Sequence, residues 1–164
     1  MNVMDPIERK KISVEFFKKA YEAQMGGELD QAISLYRKSI ELFPTPEALT
    51  FLGWAVSFSG RFKEAIDFCK KAIDLDPDFG NPYNDIGAYL IEMGALDEAV
   101  PYLERATKAS RYDSPCFPHY NLGRIWESKG MLKKSMQSYQ RALEENPEYG
   151  LATEALSRLK NRLN

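Results

Sequence analysis

The stretch GALDEA begins at Gly94 and ends at Ala99, and these two residues decide the fold. A glycine followed five residues later by a small side chain returns in GELDQA, in GRFKEA and in GMLKKS, where serine replaces alanine. The steps between the small residues of the four copies are 33, 34 and 36 residues, and these residues are Ala32, Ala65, Ala99 and Ser135. A period of this length indicates a repeat architecture, in which each copy is one supersecondary unit.

Each copy has the pattern of two short amphipathic helices. In the second copy, apolar residues recur every three or four positions in the first helix, as in Leu49, Leu52 and Val56, and again after Ala65. A glycine such as Gly60 separates the two helices, and glycine is common just past the end of a helix. Capping side chains stand before first-turn prolines in Asp5-Pro6 and Thr45-Pro46, and prolines follow most second helices, at Pro44, Pro77 and Pro147.

The second copy resembles the tetratricopeptide repeat, whose pattern is W-x2-L-G-x2-Y…A-x3-F…P. The matching residues are Leu49, Leu52, Gly53, Val56, Ala65, Cys69 and Pro77. The first copy has Ala20 where the later copies have glycine, and the third has Arg111 where the proline would fall. The resemblance covers roughly residues 13–149 and implies an all-α, right-handed α-solenoid.

The repeat pattern also predicts how the chain is divided. We expect a single domain over 1–164 with repeats at approximately 13–45, 46–79, 80–115 and 116–149, a helical extension at 6–12 and a capping helix at 150–163. That last helix carries Leu151, Ala155, Leu156, Leu159 and Leu163 on one face. Gly53, Gly87 and Gly123 share one position, so their cost of roughly 1 kcal/mol in a helix interior is expected to be offset by close helix packing.

Composition excludes several classes of protein. Twenty-two basic and 24 acidic residues give the 164-residue chain a formal net charge of −2, which argues against a dedicated nucleic-acid binder. The N-terminal residues lack the apolar core of a signal peptide, and no later stretch has the length of a membrane span. The two cysteines form no CxxC pair, so we expect reduced thiols and a cytoplasmic location.

The sequence offers little for catalysis or for binding a metal or cofactor. His119 is the only histidine, and it falls where a first helix packs against its neighbours. Cys69 occupies a buried repeat position, whereas Cys116 is expected to be exposed in a longer loop at 107–118. Asp74, Asp76 and Asp78 alternate as in a calcium loop, but the glycine and distal glutamate of an EF-hand are absent. We therefore predict no catalytic, metal or cofactor site.

The resemblance implies that the first helices line a concave surface, which in this family usually binds an extended peptide or a partner helix. Helical phase predicts that surface to contain Phe17, Tyr21, Thr50, Trp54, Phe58, Asn81, Asn84, Ala88, Tyr120 and Arg124. Asn84 would hydrogen-bond a bound backbone, and Arg124 would pair with an acidic group. The alternative is that the aromatic residues are ordinary core.

The sequence argues against one family subtype. Members that bind chaperones hold a C-terminal carboxylate with lysine, asparagine and arginine from successive first helices. The matching positions here carry Phe17, Tyr21, Phe51, Trp54, Asn81 and Asp85, so the basic residues are missing. The predicted function is a non-enzymatic adaptor or scaffold for a partner protein. Homo-oligomeric self-assembly is the first alternative, and an enzyme using His119 or Cys116 is the least favoured.

Overall fold

Each predicted copy of the repeat folds into a pair of α-helices. The computed structural model describes residues 4–164, and this part of the chain contains no β-strand. The helices are α1 (Pro6–Met25), α2 (Leu29–Leu42), α3 (Pro46–Ser57), α4 (Phe62–Leu75), α5 (Asn81–Glu92), α6 (Leu96–Thr107), α7 (Cys116–Ser128), α8 (Leu132–Glu145) and α9 (Gly150–Leu163). The all-α helical repeat fold predicted from the period is confirmed.

The chain divides after Pro77 into two compact units. The first unit contains α1 to α4 and the second contains α5 to α9. Within each unit every helix packs against the next one along the chain. The single domain over 1–164 and the repeat boundaries given above remain predictions.

Two helix starts follow the capping signals of the sequence. The Asp5 carboxylate accepts a hydrogen bond from the Ile7 N–H at 3.4 Å, and the Thr45 hydroxyl accepts one from the Ala48 N–H at 3.1 Å. Each capping residue is followed by a proline in the first turn of its helix. Proline is suited to this position because its missing N–H would have had no helical partner.

The GALDEA stretch joins the two helices of the third pair. Gly94 has φ 77°, a left-handed conformation that glycine adopts without steric cost, and the residue lies just beyond α5. Ala99 is fully buried in α6. The turn glycine and the buried small residue thus bring the chain back against the helix it has just left.

Glycines inside the first helices allow close contact with the second helices. A Cβ atom added to Gly53 would lie 2.9 Å from the carbonyl oxygen of Ala65, which belongs to the backbone of α4. One added to Gly87 would overlap the Leu103 side chain, and one added to Gly123 would lie 2.5 Å from the Tyr139 ring. The expected role of these glycines in packing is confirmed.

The connection between α6 and α7 is tied back to the start of α5. The backbone N–H of Arg111 donates to the Asp78 carbonyl at 3.1 Å, and the Gly80 N–H donates to the Arg111 carbonyl at 3.0 Å. The Arg111 guanidinium lies 4.1 Å from the centre of the Phe79 ring. Proline has no N–H, so the residue that replaces the family's proline supplies a hydrogen bond that proline could not make.

Two expectations about packing were wrong. Cys116 is 4% exposed, because it begins α7 and packs against Ala142 and Ala152, and the preceding connection ends before it. In α9, Leu151 and Leu163 are exposed at the two ends of the predicted apolar face. The residues of α9 that are buried are Ala152, Ala155, Leu156 and Leu159. Cys69 is fully buried, as predicted.

Replacing Gly53 with alanine tests the close contact of α3 and α4. Overpacking a core typically costs about 1–3 kcal/mol, whereas the greater helix propensity of alanine returns at most about 1 kcal/mol. We expect Gly53→Ala to lower the free energy of unfolding in urea, because the Ala65 carbonyl is backbone and has little room to move. Gly150→Ala is the control, since no atom lies within 4 Å of its added Cβ. Equal stability of the two variants would contradict the close contact.

Replacing Arg111 with proline or alanine separates its backbone role from its side-chain role. Both variants lose the contact with Phe79, but only Arg111→Pro loses the N–H that donates to Asp78. We expect Arg111→Pro to be less stable than Arg111→Ala by about 1 kcal/mol or more, measured by urea denaturation. If the two variants unfold at the same urea concentration, the backbone hydrogen bond contributes nothing to stability.

Candidate functional site

Five aromatic side chains form a connected row in the first unit, four of them in α1 and α3 and the fifth just after α3. We call Phe17, Tyr21, Phe51, Trp54 and Phe58 the aromatic row. Phe51 lies at its centre, with ring centroids 5.4 Å from Phe17, 5.7 Å from Tyr21 and 5.8 Å from Trp54. The interplanar angles at these contacts are 73–86°, which is the edge-to-face geometry that pairs of aromatic rings prefer. Trp54 in turn lies 5.7 Å from Phe58.

The aromatic row is buried on one side and exposed at its ends. The Phe17 ring packs 5.8 Å from the fully buried Tyr36, whose hydroxyl donates to the Gln24 side chain at 2.8 Å. Tyr21 is 42% exposed and Phe58 is 59% exposed. The row therefore combines a fixed inner layer with accessible rings, and the two interpretations of the aromatics, core or surface, each describe part of it.

Helical phase placed one residue of this face incorrectly and left another out. Thr50 is 2% exposed, and its hydroxyl donates to the Pro46 carbonyl of its own helix at 2.7 Å. Phe51 was not among the predicted site residues, although it is the centre of the row. Its spacing from Trp54 and Phe58, three and seven residues, is a helical-face signal that could have identified it.

The corresponding face of the second unit is polar. The Asn121 side chain donates to the Asn84 side chain at 3.0 Å. Arg124 donates to Asn121 and to Glu92, in both cases at 3.2 Å. Asn84 and Asn121 are each 7% exposed, so the amide oxygen expected to meet a ligand already has a buried partner. Asn121 was also absent from the predicted site.

The remaining predicted residues of the second unit lie in different surroundings. Tyr120 packs between two tyrosines, 5.4 Å from Tyr139 and 5.3 Å from Tyr149. Asn81 begins α5, Ala88 lies further along it, and both are partly buried. The partner-binding role of these three residues and of Arg124 stays a prediction.

Glu127 connects α7 to α8 and α9. It accepts hydrogen bonds from the Tyr139 hydroxyl and from Arg158, both at 2.8 Å, and Arg162 lies 3.7 Å away. Burial would raise the pKa of the Glu127 carboxyl, but these donors and charges outweigh burial and lower it. The carboxylate is therefore held ionised, as a link between helices.

Asp85 is a partly buried carboxyl beside this polar face. Burial raises the pKa of Asp85 to about 7, against a hydrogen bond from the Asn84 side chain that lowers it. No group of three or more His, Cys, Asp or Glu side chains that could hold a metal ion occurs in residues 4–164. No helix in the same range is long and apolar enough to cross a membrane.

The raised pKa of Asp85 predicts how stability depends on pH. At this carboxyl the folded state binds a proton more tightly than the unfolded state, so the contribution of Asp85 to the free energy of unfolding should fall as pH rises from about 4 to about 7. The slope is at most about 1.4 kcal/mol per pH unit. Asp85→Asn should flatten this part of the profile and raise the melting temperature above neutral pH. Asp113→Asn, which changes an exposed carboxyl of the same unit, should leave the profile unchanged. Identical slopes for the wild type and Asp85→Asn over this interval would contradict the prediction.

Family models for the tetratricopeptide repeat match the chain at residues 17–78, 59–115 and 116–149, which together run without a gap. The small glutamine-rich tetratricopeptide repeat-containing protein 2 of Mycosarcoma maydis is 37% identical over 79 residues, which are 47% of this chain and 22% of that protein. The mitochondrial import receptor subunit TOM70 of Rattus norvegicus is 25% identical over 129 residues, 77% of this chain and 21% of the receptor. The chain thus spans about a fifth of the length of these relatives.

Solved structures show the same fold at low sequence identity. PilF of Pseudomonas aeruginosa superposes with a TM-score of 0.88 and 19% identity, over 94% of this chain and 70% of PilF. YrrB superposes with a TM-score of 0.67 and 21% identity, over 92% of this chain and 77% of YrrB. Together with the helix pairs and their packing glycines, these matches establish that the chain belongs to the tetratricopeptide repeat family.

Proposed function

We propose that this chain is a non-enzymatic adaptor that binds a peptide or helix of a partner protein on the aromatic row. The observation that carries the proposal is the exposure of Tyr21 and Phe58 at the two ends of the row. Large aromatic side chains dominate the energetics of protein interfaces, and a contiguous apolar surface marks an interaction site.

The packing within the aromatic row favours binding. Phe51 contacts three other rings of the row, and Phe17 rests on buried Tyr36. Side chains that are already held in place lose little conformational entropy when a ligand covers them. The exposed faces of Tyr21 and Phe58 are therefore suited to act as preformed anchors.

Further apolar side chains extend this surface along α1. Val14 and Met25 are exposed, and with Phe17 and Tyr21 they follow the spacing of one helical face. A partner helix with apolar residues at positions i, i+3, i+4 and i+7 would match such a surface. We therefore favour an amphipathic helix over a charged extended peptide as the ligand.

Two relatives support a role in protein interaction. TOM70 is described as a mitochondrial import receptor subunit, and YrrB as a tetratricopeptide repeat protein with an unusual peptide-binding site. This support is general, because neither match reaches the level of identity at which binding residues transfer. The contact set proposed here rests on the exposed rings of this chain.

The proposal includes the finer expectations from the sequence. Asn81, Ala88, Tyr120 and Arg124 are proposed as a separate contact set on the second unit, whereas Thr50 and Asn84 are left out because they are buried. A scaffold role and a cytoplasmic location are also part of the proposal. Two free, buried cysteines are compatible with a reducing compartment.

Alanine substitutions at the ends of the aromatic row test the proposal. Peptides selected from a phage-displayed random library would be measured by isothermal titration calorimetry against each variant. We expect Tyr21→Ala and Phe58→Ala each to weaken binding roughly 30-fold, the loss of about 2 kcal/mol that is typical of an interface anchor. The melting temperature should barely change, because both side chains are substantially exposed.

Leu75→Ala and Leu163→Ala are matched controls, since both leucines are also about half exposed but lie outside the row. Peptides that bind the Tyr21 and Phe58 variants as tightly as the wild type would overturn the proposed site. Sedimentation velocity over a concentration series tests the alternative of self-assembly. If the wild type associates and Tyr21→Ala does not, the row is a contact between copies of this chain instead.

A further inference from the structure

The repeat places a surface cleft at the same position in each unit. In the first unit the cleft lies between α2, α3 and α4 and has a volume of about 500 Å³. In the second unit it lies between α6, α7 and α8 and has a volume of about 370 Å³. Because the two clefts occupy equivalent repeat positions, most of their side chains can be compared position by position.

Three apolar residues of the first cleft are replaced by polar ones in the second. Ile40 and Thr107 each lie eight residues after the small residue of their second helix, and Leu49 and His119 each lie four residues before the packing glycine. Phe68 and Ser138 each lie three residues after the small residue of α4 and α8. The second cleft therefore has a less apolar lining at the same place in the fold, although Leu122 and Trp126 remain in it.

The aromatic ring of the first cleft is covered by cations, and the second cleft has no ring at that position. The Arg37 guanidinium lies 5.5 Å and the Lys71 ammonium 5.6 Å from the centre of the Phe68 ring. Arg141 occupies the repeat position of Lys71, but Ser138 stands where the ring would be. A short hydroxyl side chain leaves the guanidinium space to meet a ligand.

The net charge of the lining rises from zero in the first cleft to +2 in the second. Arg37 and Lys71 in the first cleft are balanced by Glu41 and Asp74, and Arg37 is paired with Glu64 at 3.3 Å. The second cleft is lined by three cations, Lys108, Lys134 and Arg141, and by one carboxylate, Glu104. At the repeat position of Glu41 it carries Lys108.

Two cations of the second cleft are available to a ligand, and the third already lies against an aromatic ring. Lys108 and Arg141 form no ion pair among residues 4–164, and Lys134 lies over the Trp126 ring, 3.6 Å from its centre. Burial lowers the pKa of His119, so the imidazole is neutral above neutral pH and both donates and accepts a hydrogen bond. A cavity of this size is in the range of small-molecule sites.

We infer that the second cleft binds a phosphate monoester. Arg141 offers a planar pair of donors that matches two phosphate oxygens, and Lys108 and Lys134 supply positive charge around them. The Ser138 hydroxyl and the His119 imidazole add neutral donors on the inner side of the cleft. The site uses none of the aromatic row, so it holds or fails independently of the proposed function.

The only histidine of the chain makes the test direct. We would follow the imidazole signals of His119 by NMR during titration with inorganic phosphate, O-phosphoserine and glucose 6-phosphate, with pH and ionic strength held constant. Saturable shifts are expected. Tightest binding of O-phosphoserine would indicate a phosphorylated side chain as the ligand, and tightest binding of the sugar phosphate a small metabolite. Shifts that do not saturate, or that chloride reproduces, would overturn the site.

Variants at equivalent repeat positions provide matched controls. Arg141→Ala and Lys108→Ala should each weaken binding about tenfold or more, the loss expected for a charge-assisted hydrogen bond, whereas Lys71→Ala should have no effect. Ser138→Phe, which restores the ring of the first cleft, should abolish binding while keeping every charge. Circular dichroism of each variant verifies the fold. Unchanged binding by Arg141→Ala and Lys108→Ala would overturn the site, even if Ser138→Phe fails to fold.

Discussion

The contact between the two helices of a pair is the constraint on which the rest of the structure depends. Ala32, Ala65, Ala99 and Ser135 are all fully buried. In the last three pairs a first-helix glycine lies against the second helix, at Ala65, Leu103 and Tyr139 respectively. At Gly53 the approach is limited by the backbone of α4 itself, so no side chain at all is tolerated without movement. The separation of the two helix backbones is therefore fixed at this contact, whereas the side chains packed around it can differ between pairs.

The second-helix position four residues after the small one lies against the packing glycine in the last three pairs, and its side chain varies. It carries Tyr36, Cys69, Leu103 and Tyr139 in successive pairs, and the two tyrosines each direct a hydroxyl to a first-helix side chain at 2.8 Å. In the first pair the acceptor is the neutral amide of Gln24, and in the fourth it is the carboxylate of Glu127, which also binds Arg158. The same geometry thus serves packing beneath the aromatic row in one unit and attachment of α9 in the other.

Much of the fold could be predicted from the sequence because the period, the turn glycines and the capping residues are local signals. Arg111 at the place of a proline was visible too, but its hydrogen bond to Asp78 was not, because that bond joins residues far apart in sequence.

The candidate site was predicted less well, because helical phase identifies a face but not which edge of that face a neighbouring helix covers. Thr50 and Phe51 are adjacent in sequence, and packing buries the first and leaves part of the second at the surface. Asn121 was missed for a related reason, since a polar residue on an inner face gains its meaning only from partners on other helices, here Asn84 and Arg124.

Comparing the side chains at one repeat position in different copies shows which of them folding requires and which a binding site would require. One inner position carries Phe51 in the second copy, Asp85 in the third and Asn121 in the fourth, so the fold accepts an aromatic ring, a carboxyl and an amide there. The outer cleft carries Phe68 in one unit and Ser138 in the other. Fully burying an apolar side chain contributes roughly 1.5–3 kcal/mol, and the second cleft forgoes a share of this at three positions. Since the first cleft shows that the fold accommodates apolar residues at all three, the polar and basic lining of the second is not a requirement of helix packing.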